Sequence, residues 1–133
     1  GLEADFRRQN RPSFGEAIEA ERWDDALENY AEMSPGERRG IGDWEILSLA
    51  DGLTKDQKFD AGLAVLQRFI ATRPNSPVIS LAHLRAGLIH LHGMNRTAAA
   101  YQHLLTVLDL SPPSEVADAA REGLAAIDKL RIN

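Results

Sequence analysis

Apolar residues recur along this chain with a helical beat. In the stretch 59–74, FDAGLAVLQRFIATRP, they fall at Phe59, Leu63, Leu66, Phe69 and Ile70, one face of a 3.6-residue period. Small Ala61 and Gly62 leave room for a second helix to approach. Pro74 ends the segment, because proline cannot continue a helix and restricts the residue before it. The pattern then repeats. Phe59, Gly62, Leu66, Phe69 and Pro74 stand at offsets 0, 3, 7, 10 and 15, and Thr97, Ala100, Leu104, Val107 and Pro112 follow the same offsets. Trp23, Ala26, Tyr30 and Met33 follow the first four, with Arg38 where the proline would fall. The periods, 36 and 38 residues, each hold one helical pattern and predict stacked helix pairs.

Start signals place the helices between these markers. Residues 1–12 are polar around Leu2 and Phe6 and read as an extension that forms a helical turn or frays; 13–133 reads as a single helical domain. Ser13-Phe14-Gly15-Glu16 is a capping box that opens a helix over 14–21. Asp24 caps the next, to about 33. Ser34-Pro35-Gly36-Glu37 is a second box, interrupted by Gly40-Ile41-Gly42. Asp43 recaps a helix to about 53, and Thr54-Lys55-Asp56-Gln57 reads as a third box ahead of the Phe59 helix. Asn75-Ser76-Pro77 opens a helix to about 92, Asn95 caps one to about 110, and Pro112-Pro113-Ser114 starts the last, to about 130. No window alternates as a strand does between hairpin turns. The expected fold is therefore all-α, with seven helices in three pairs and one more. The first helix of each pair carries a small residue, Gly15, Ala50 or Gly87, which predicts close helix contact at those points.

Composition narrows the function classes. With 44% apolar residues in 133, the chain can bury a core and is not a disordered composition. It has no apolar run of membrane-spanning length and no signal-peptide pattern. The first residue is Gly1 rather than Met, and a processed piece of a longer protein is expected. The net charge of −5, with basic residues scattered, argues against nucleic acid as a partner. There is no cysteine, so thiolate catalysis and Cys-type zinc sites are absent.

No reactive constellation stands out. No serine lies in a Gly-x-Ser-x-Gly elbow, and Ser13, Ser34, Ser76 and Ser114 are explained as helix caps. There is no phosphate loop, and nothing implies a cofactor. Of the four histidines, His83 and His90 share a helix face while His90 and His92 do not; a metal would need a further converging ligand. The expectation is no enzyme, no metal and no cofactor.

The frame Leu49-Ala50…Phe59…Gly62…Leu66…Phe69…Pro74, with Ala86-Gly87…Ala100…Leu104…Pro112 as its second copy, resembles a tetratricopeptide repeat protein. The likeness covers about residues 13–112, with the last helix as a cap. The phrase RPNSPVISLAHLRAG (73–87) is similar to the subclass in bacterial envelope proteins, such as the lipoprotein of the β-barrel assembly machinery and the Tol-associated periplasmic protein. The missing proline at position 38, Thr97 in place of an aromatic and the break at 40–42 depart from the pattern. The resemblance implies a right-handed superhelical stack of about three helix pairs, non-catalytic protein binding, and the periplasmic side of the envelope, with the cytoplasm also open.

In such stacks the first helices line the concave side, where a partner peptide or protein lies. The face predicted on the second pair is Trp44, Leu47, Ser48, Asp51 and Lys55. On the third pair it is Leu81, Leu84, Arg85 and Leu88, with His92 at the far end. Trp44 is either an exposed anchor, as binding hot spots favour tryptophan, or a core residue closing the stack. A second copy of the chain is the alternative partner, which would make the module an oligomerisation element.

Overall fold

Each amphipathic stretch folds as a helix, which pairs its own backbone polar groups while turning one apolar face inward. The computed structural model describes residues 1–132, with Arg7 and Ile132 by backbone alone. In chain order the helices are α1 (Leu2–Asn10), α2 (Phe14–Glu19), α3 (Trp23–Glu32), α4 (Pro35–Arg39), α5 (Asp43–Lys55) and α6 (Phe59–Thr72). Then come α7 (Ile79–Leu88), a π-helical turn (Ile89–Gly93), α8 (Thr97–Asp109) and α9 (Ser114–Ile132). No strand occurs among the described residues, and none of their helices is long and apolar enough to cross a membrane. The protein is all-α, with α1 and α4 added to the seven helices expected. The last residue of the predicted domain, 133, lies outside the described residues.

Two of the three expected capping boxes form. The Glu16 N–H donates to Ser13 Oγ and the Glu37 N–H to Ser34 Oγ, at 3.3 and 3.2 Å, and each glutamate accepts the cap's own N–H. The box at 54–57 does not form. Thr54 stays inside α5 and its hydroxyl donates to the Ala50 carbonyl at 2.7 Å. Asp24, Asp43 and Asn95 are not caps either; those positions belong to Arg22, Gly42 and Arg96.

What separates the helices of each couple is a backbone turn that recurs. Glu21, Gln57 and Asn95 have φ of 56, 62 and 53°, each two residues ahead of the second helix. The next N–H, from Arg22, Lys58 or Arg96, reaches back to a carbonyl of the first helix at 2.8 Å in every case. For Arg22 and Lys58 the acceptors are Ala17 and Leu53, five residues back, as in a Schellman motif. For Arg96 it is His90, six back. The π turn supplies the additional residue and accounts for part of the longer second period.

These short connections send each second helix back along the first, so α2 pairs with α3, α5 with α6 and α7 with α8. Couples then meet their neighbours: α5 touches α2 and α3, α7 touches α6, and α9 covers α7 and α8. One apolar cluster joins the first two couples to one side of α7 and to Ile89 of the π turn, with Leu47, Leu49, Leu53, Leu66 and Phe69 almost fully enclosed. A second joins α7, α8 and α9 around Leu104, Val107 and Ile127. Leu81 packs into both.

Glycines mark the tightest approaches. A Cβ on Gly62 would stand 3.2 Å from the Ala50 carbonyl, and one on Gly87 3.0 Å from Leu104. Contact is therefore close where Ala50 and Gly87 predicted it. At Gly15 the expectation fails: the residue is exposed and a Cβ there would meet nothing. Ala17, wholly buried, is the small residue that α2 turns inward.

Polar clasps fix the irregular joints. Arg11 donates to Glu28 and Glu32 of α3 at 2.7 and 2.5 Å, which ties down the chain just after α1. Arg73, after α6, donates to the carbonyls of Ile41 and Arg38 and to the Asp43 carboxylate. Ser76 donates to the same carboxylate at 2.5 Å. The Ser76 hydroxyl and the Arg73 guanidinium hold the Asp43 carboxyl below its usual range. The glycine-rich break at 40–42 is thus closed by side chains some thirty residues away.

Candidate functional site

Positions 44, 48, 51 and 55 follow one another at helical spacing along α5, and 81, 85 and 88 do so along α7. The structure places these residues unequally. Trp44 is 61% exposed in the first turn of α5, which decides against a core role. Asp51 and Lys55 are exposed, and Ser48, Leu81, Arg85 and Leu88 half-buried. Leu47 and Leu84 correct the expectation: at 1% and 6% exposure they offer no surface to a partner. The cause is that α5 and α7 each touch helices on more than one side, so their buried arcs are wider than a single stripe.

Arg85 bridges the two couples through an ion pair with Asp51. Burial lowers the Arg85 pKa from its ordinary value, and the nearby carboxylate compensates its charge. Beside the pair lies a cavity of about 280 Å³ lined by Asp51, Thr54, Phe59, Arg85, Leu88, Ile89, His92 and Gly93. Its walls are mostly apolar and its mouth carries a charged pair, an arrangement suited to seating a side chain with a polar end. Thr54, Phe59, Ile89 and Gly93 lie outside the face predicted from sequence. Phe59, on the apolar face of its segment, is half-buried with its ring against Gly93. The π turn that positions Ile89, His92 and Gly93 has no spacing signal of its own.

A second cluster lies between α7, the π turn and α8. The Nδ1 atoms of His83 and His103 are 3.1 Å apart, the distance of a neutral N–H···N bond with one ring donating. His90 stacks on His103 with ring centroids at 5.5 Å and 17° between planes. Its own Nδ1 is buried without a hydrogen-bond partner. Burial lowers the pKa of His83, and burial with the Arg96 charge lowers that of His90. Burial and then the two neighbouring imidazoles bring His103 down to about 4. Sequence reasoning paired His83 with His90; it missed His103, which comes from another helix. Stacked rings do not aim their nitrogens at one point, and no set of three or more histidine or carboxylate groups is placed to hold a metal ion among the described residues.

Comparison with protein-family models and with curated proteins finds no match for this chain. What defines it is an all-α array of helix couples with a partly open face across α5 and α7.

Proposed function

We propose that the chain is a non-catalytic module of the tetratricopeptide type. The couples α2–α3, α5–α6 and α7–α8 are taken to build a right-handed superhelical stack, capped by α9, within a larger bacterial protein. A partner peptide or protein lies along α5 and α7. The carrying observation is Trp44: a large aromatic side chain held 61% exposed on a rigid helix, on the α5 face that also bears Asp51. The Asp51–Arg85 pair and its cavity supply the polar and apolar contacts such a partner needs.

The test is photo-cross-linking from position 44, with position 64 on α6 as the exposed control. A discrete cross-linked partner at 44, absent at 64 and lost in Arg85→Ala, supports the proposal. Equal capture from both positions, or unchanged capture in a folded Arg85→Ala protein, removes the groove.

A specific observation also favours self-association. Leu2 and Phe6 on α1 are 89% and 65% exposed, and Leu130 on α9 is 61% exposed, so apolar surface is left near both ends of the chain. Sedimentation across a wide concentration range decides this alternative, and a monomer throughout eliminates it.

A further inference from the structure

Away from the α5–α7 face, four arginines converge on one cavity. It has a volume of about 690 Å³ and lies between α3, α4, the start of α5 and the end of α6. Its floor is apolar: Tyr30, Ile46 and Phe69 are each at most 7% exposed. Around it stand Arg38, Arg39, Arg68 and Arg73, and no carboxylate lines it. In a chain with 20 acidic and 15 basic residues, such a concentration of one sign is not what scattered surface charge would produce.

The four arginines divide into two pairs. Arg38 and Arg73 are fixed. Arg38 donates to the carbonyls of Tyr30 and Ala31 at 3.0 and 3.1 Å, with its guanidinium 5.4 Å from the Tyr30 ring centroid. Arg73 is held by its clasp, 5.6 Å from the Phe69 ring centroid, and Asp43 offsets its charge. Arg39 and Arg68 are exposed, and their guanidinium groups have no hydrogen-bond or ion-pair partner among the described residues. Fixed cations thus line the wall, while two unengaged planar forks stand at the rim. That is the geometry in which guanidinium groups take a carboxylate or phosphate bidentately. The field is felt inside: Arg68, Arg38 and Arg73 all act to lower the Tyr30 phenol pKa against the larger effect of burial. A cavity of this size is in the range that takes small organic ligands.

We propose that this cavity binds a small molecule carrying an oxyanion on a flat apolar body. Arg39 and Arg68 grip the carboxylate or phosphate, and the flat body lies against Pro35, Thr72 and the half-buried side chains of Arg38 and Arg73, which cover the enclosed Tyr30, Ile46 and Phe69 floor. This site is independent of the partner-binding face, since its arginines lie on and beside α4 and α6.

The experiment is calorimetric titration of the folded chain with phenyl phosphate, benzoate and inorganic phosphate. Saturable binding of phenyl phosphate or benzoate, weakened by added salt and tighter than inorganic phosphate, is expected. Whichever of the two binds more tightly identifies phosphate or carboxylate as the natural group. Arg39→Gln and Arg68→Gln should each weaken binding about tenfold, the loss expected for one charged hydrogen-bonding partner. Arg121→Gln, on α9, should leave it unchanged. Both test residues are exposed and unengaged, so circular dichroism should show intact folds. No saturable binding of any probe at millimolar concentration overturns the proposal. So does binding that survives both substitutions or falls equally with Arg121→Gln.

Discussion

The indole of Trp23 lies against Gly52, so close that no Cβ could stand between them. Phe59 repeats the relationship one couple later, its ring 2.7 Å from where a Gly93 Cβ would be. In both cases the first residue of a second helix seats its ring on a glycine near the end of the next couple's first helix. This is what the aromatic marker does in the two repeats that carry one: it locks one couple to the next. Gly52→Ala is expected to cost about 1–3 kcal/mol, since the ring must move out of its packing. Gly15→Ala, facing open space, should stabilise by up to about 0.5–1 kcal/mol, because alanine restricts the unfolded chain more than glycine does. Urea unfolding midpoints of the two variants check both signs.

Glu21 and Gln57 occupy left-handed backbone conformations without being glycine. Replacing either with glycine should relieve that strain and stabilise by about 0.5–1 kcal/mol. Thermal melts read it out, and a lowered midpoint in both variants would contradict the turn geometry.

The histidine cluster makes stability depend on pH. The unfolded His103 takes up a proton near 6.5, whereas the folded one resists until about 4. Between those values the unfolded chain binds more protons, so stability is retained above pH 6.5 and falls as pH drops toward 4. The change is on the order of 1–2 kcal/mol after discounting for the partly solvated ring. Denaturant titrations across pH 4–7 should show this slope, and His103→Gln should flatten it.

Arg73→Lys should destabilise by about 1.5–3 kcal/mol, because one ammonium cannot reach the Ile41 and Arg38 carbonyls and the Asp43 carboxylate together. Amide exchange at residues 38–43 should rise in that variant before it rises in α7–α9.

Trp44→Ala should change stability by less than about 0.5 kcal/mol, as its side chain is mostly in solvent. A larger loss in a urea titration would mean that the indole supports the fold.

Much of the fold could be read from the chain because helix periodicity is a local property. Phe59, Leu66 and Phe69 announce their buried face within one segment, and Ser13 and Ser34 announce a start within four residues. Thr54 misled because its hydroxyl can cap a helix or bond back within one, and here Ala50 offers the nearer carbonyl. Leu47 and Leu84 were misplaced because helix phase shows which residues share a face, not how many neighbours will cover it. Trp44, Asp51 and Arg85 each fall on the face that helix phase predicts, but the ion pair between Asp51 and Arg85 joins two couples and has no local signal. The cluster that adds His103 and the cavity that joins Arg38 to Arg68 and Arg73 bring together groups thirteen to thirty-five residues apart, with no local spacing to announce them.

Leu81 sits where the two apolar clusters meet, and its place there has a kinetic consequence. Loosening the far cluster need not disturb the near one, so α8 and α9 can peel away while the first two couples hold. The molecule would then come apart like a stack of plates lifted from the top, with α7 as the last plate to leave and the first to return.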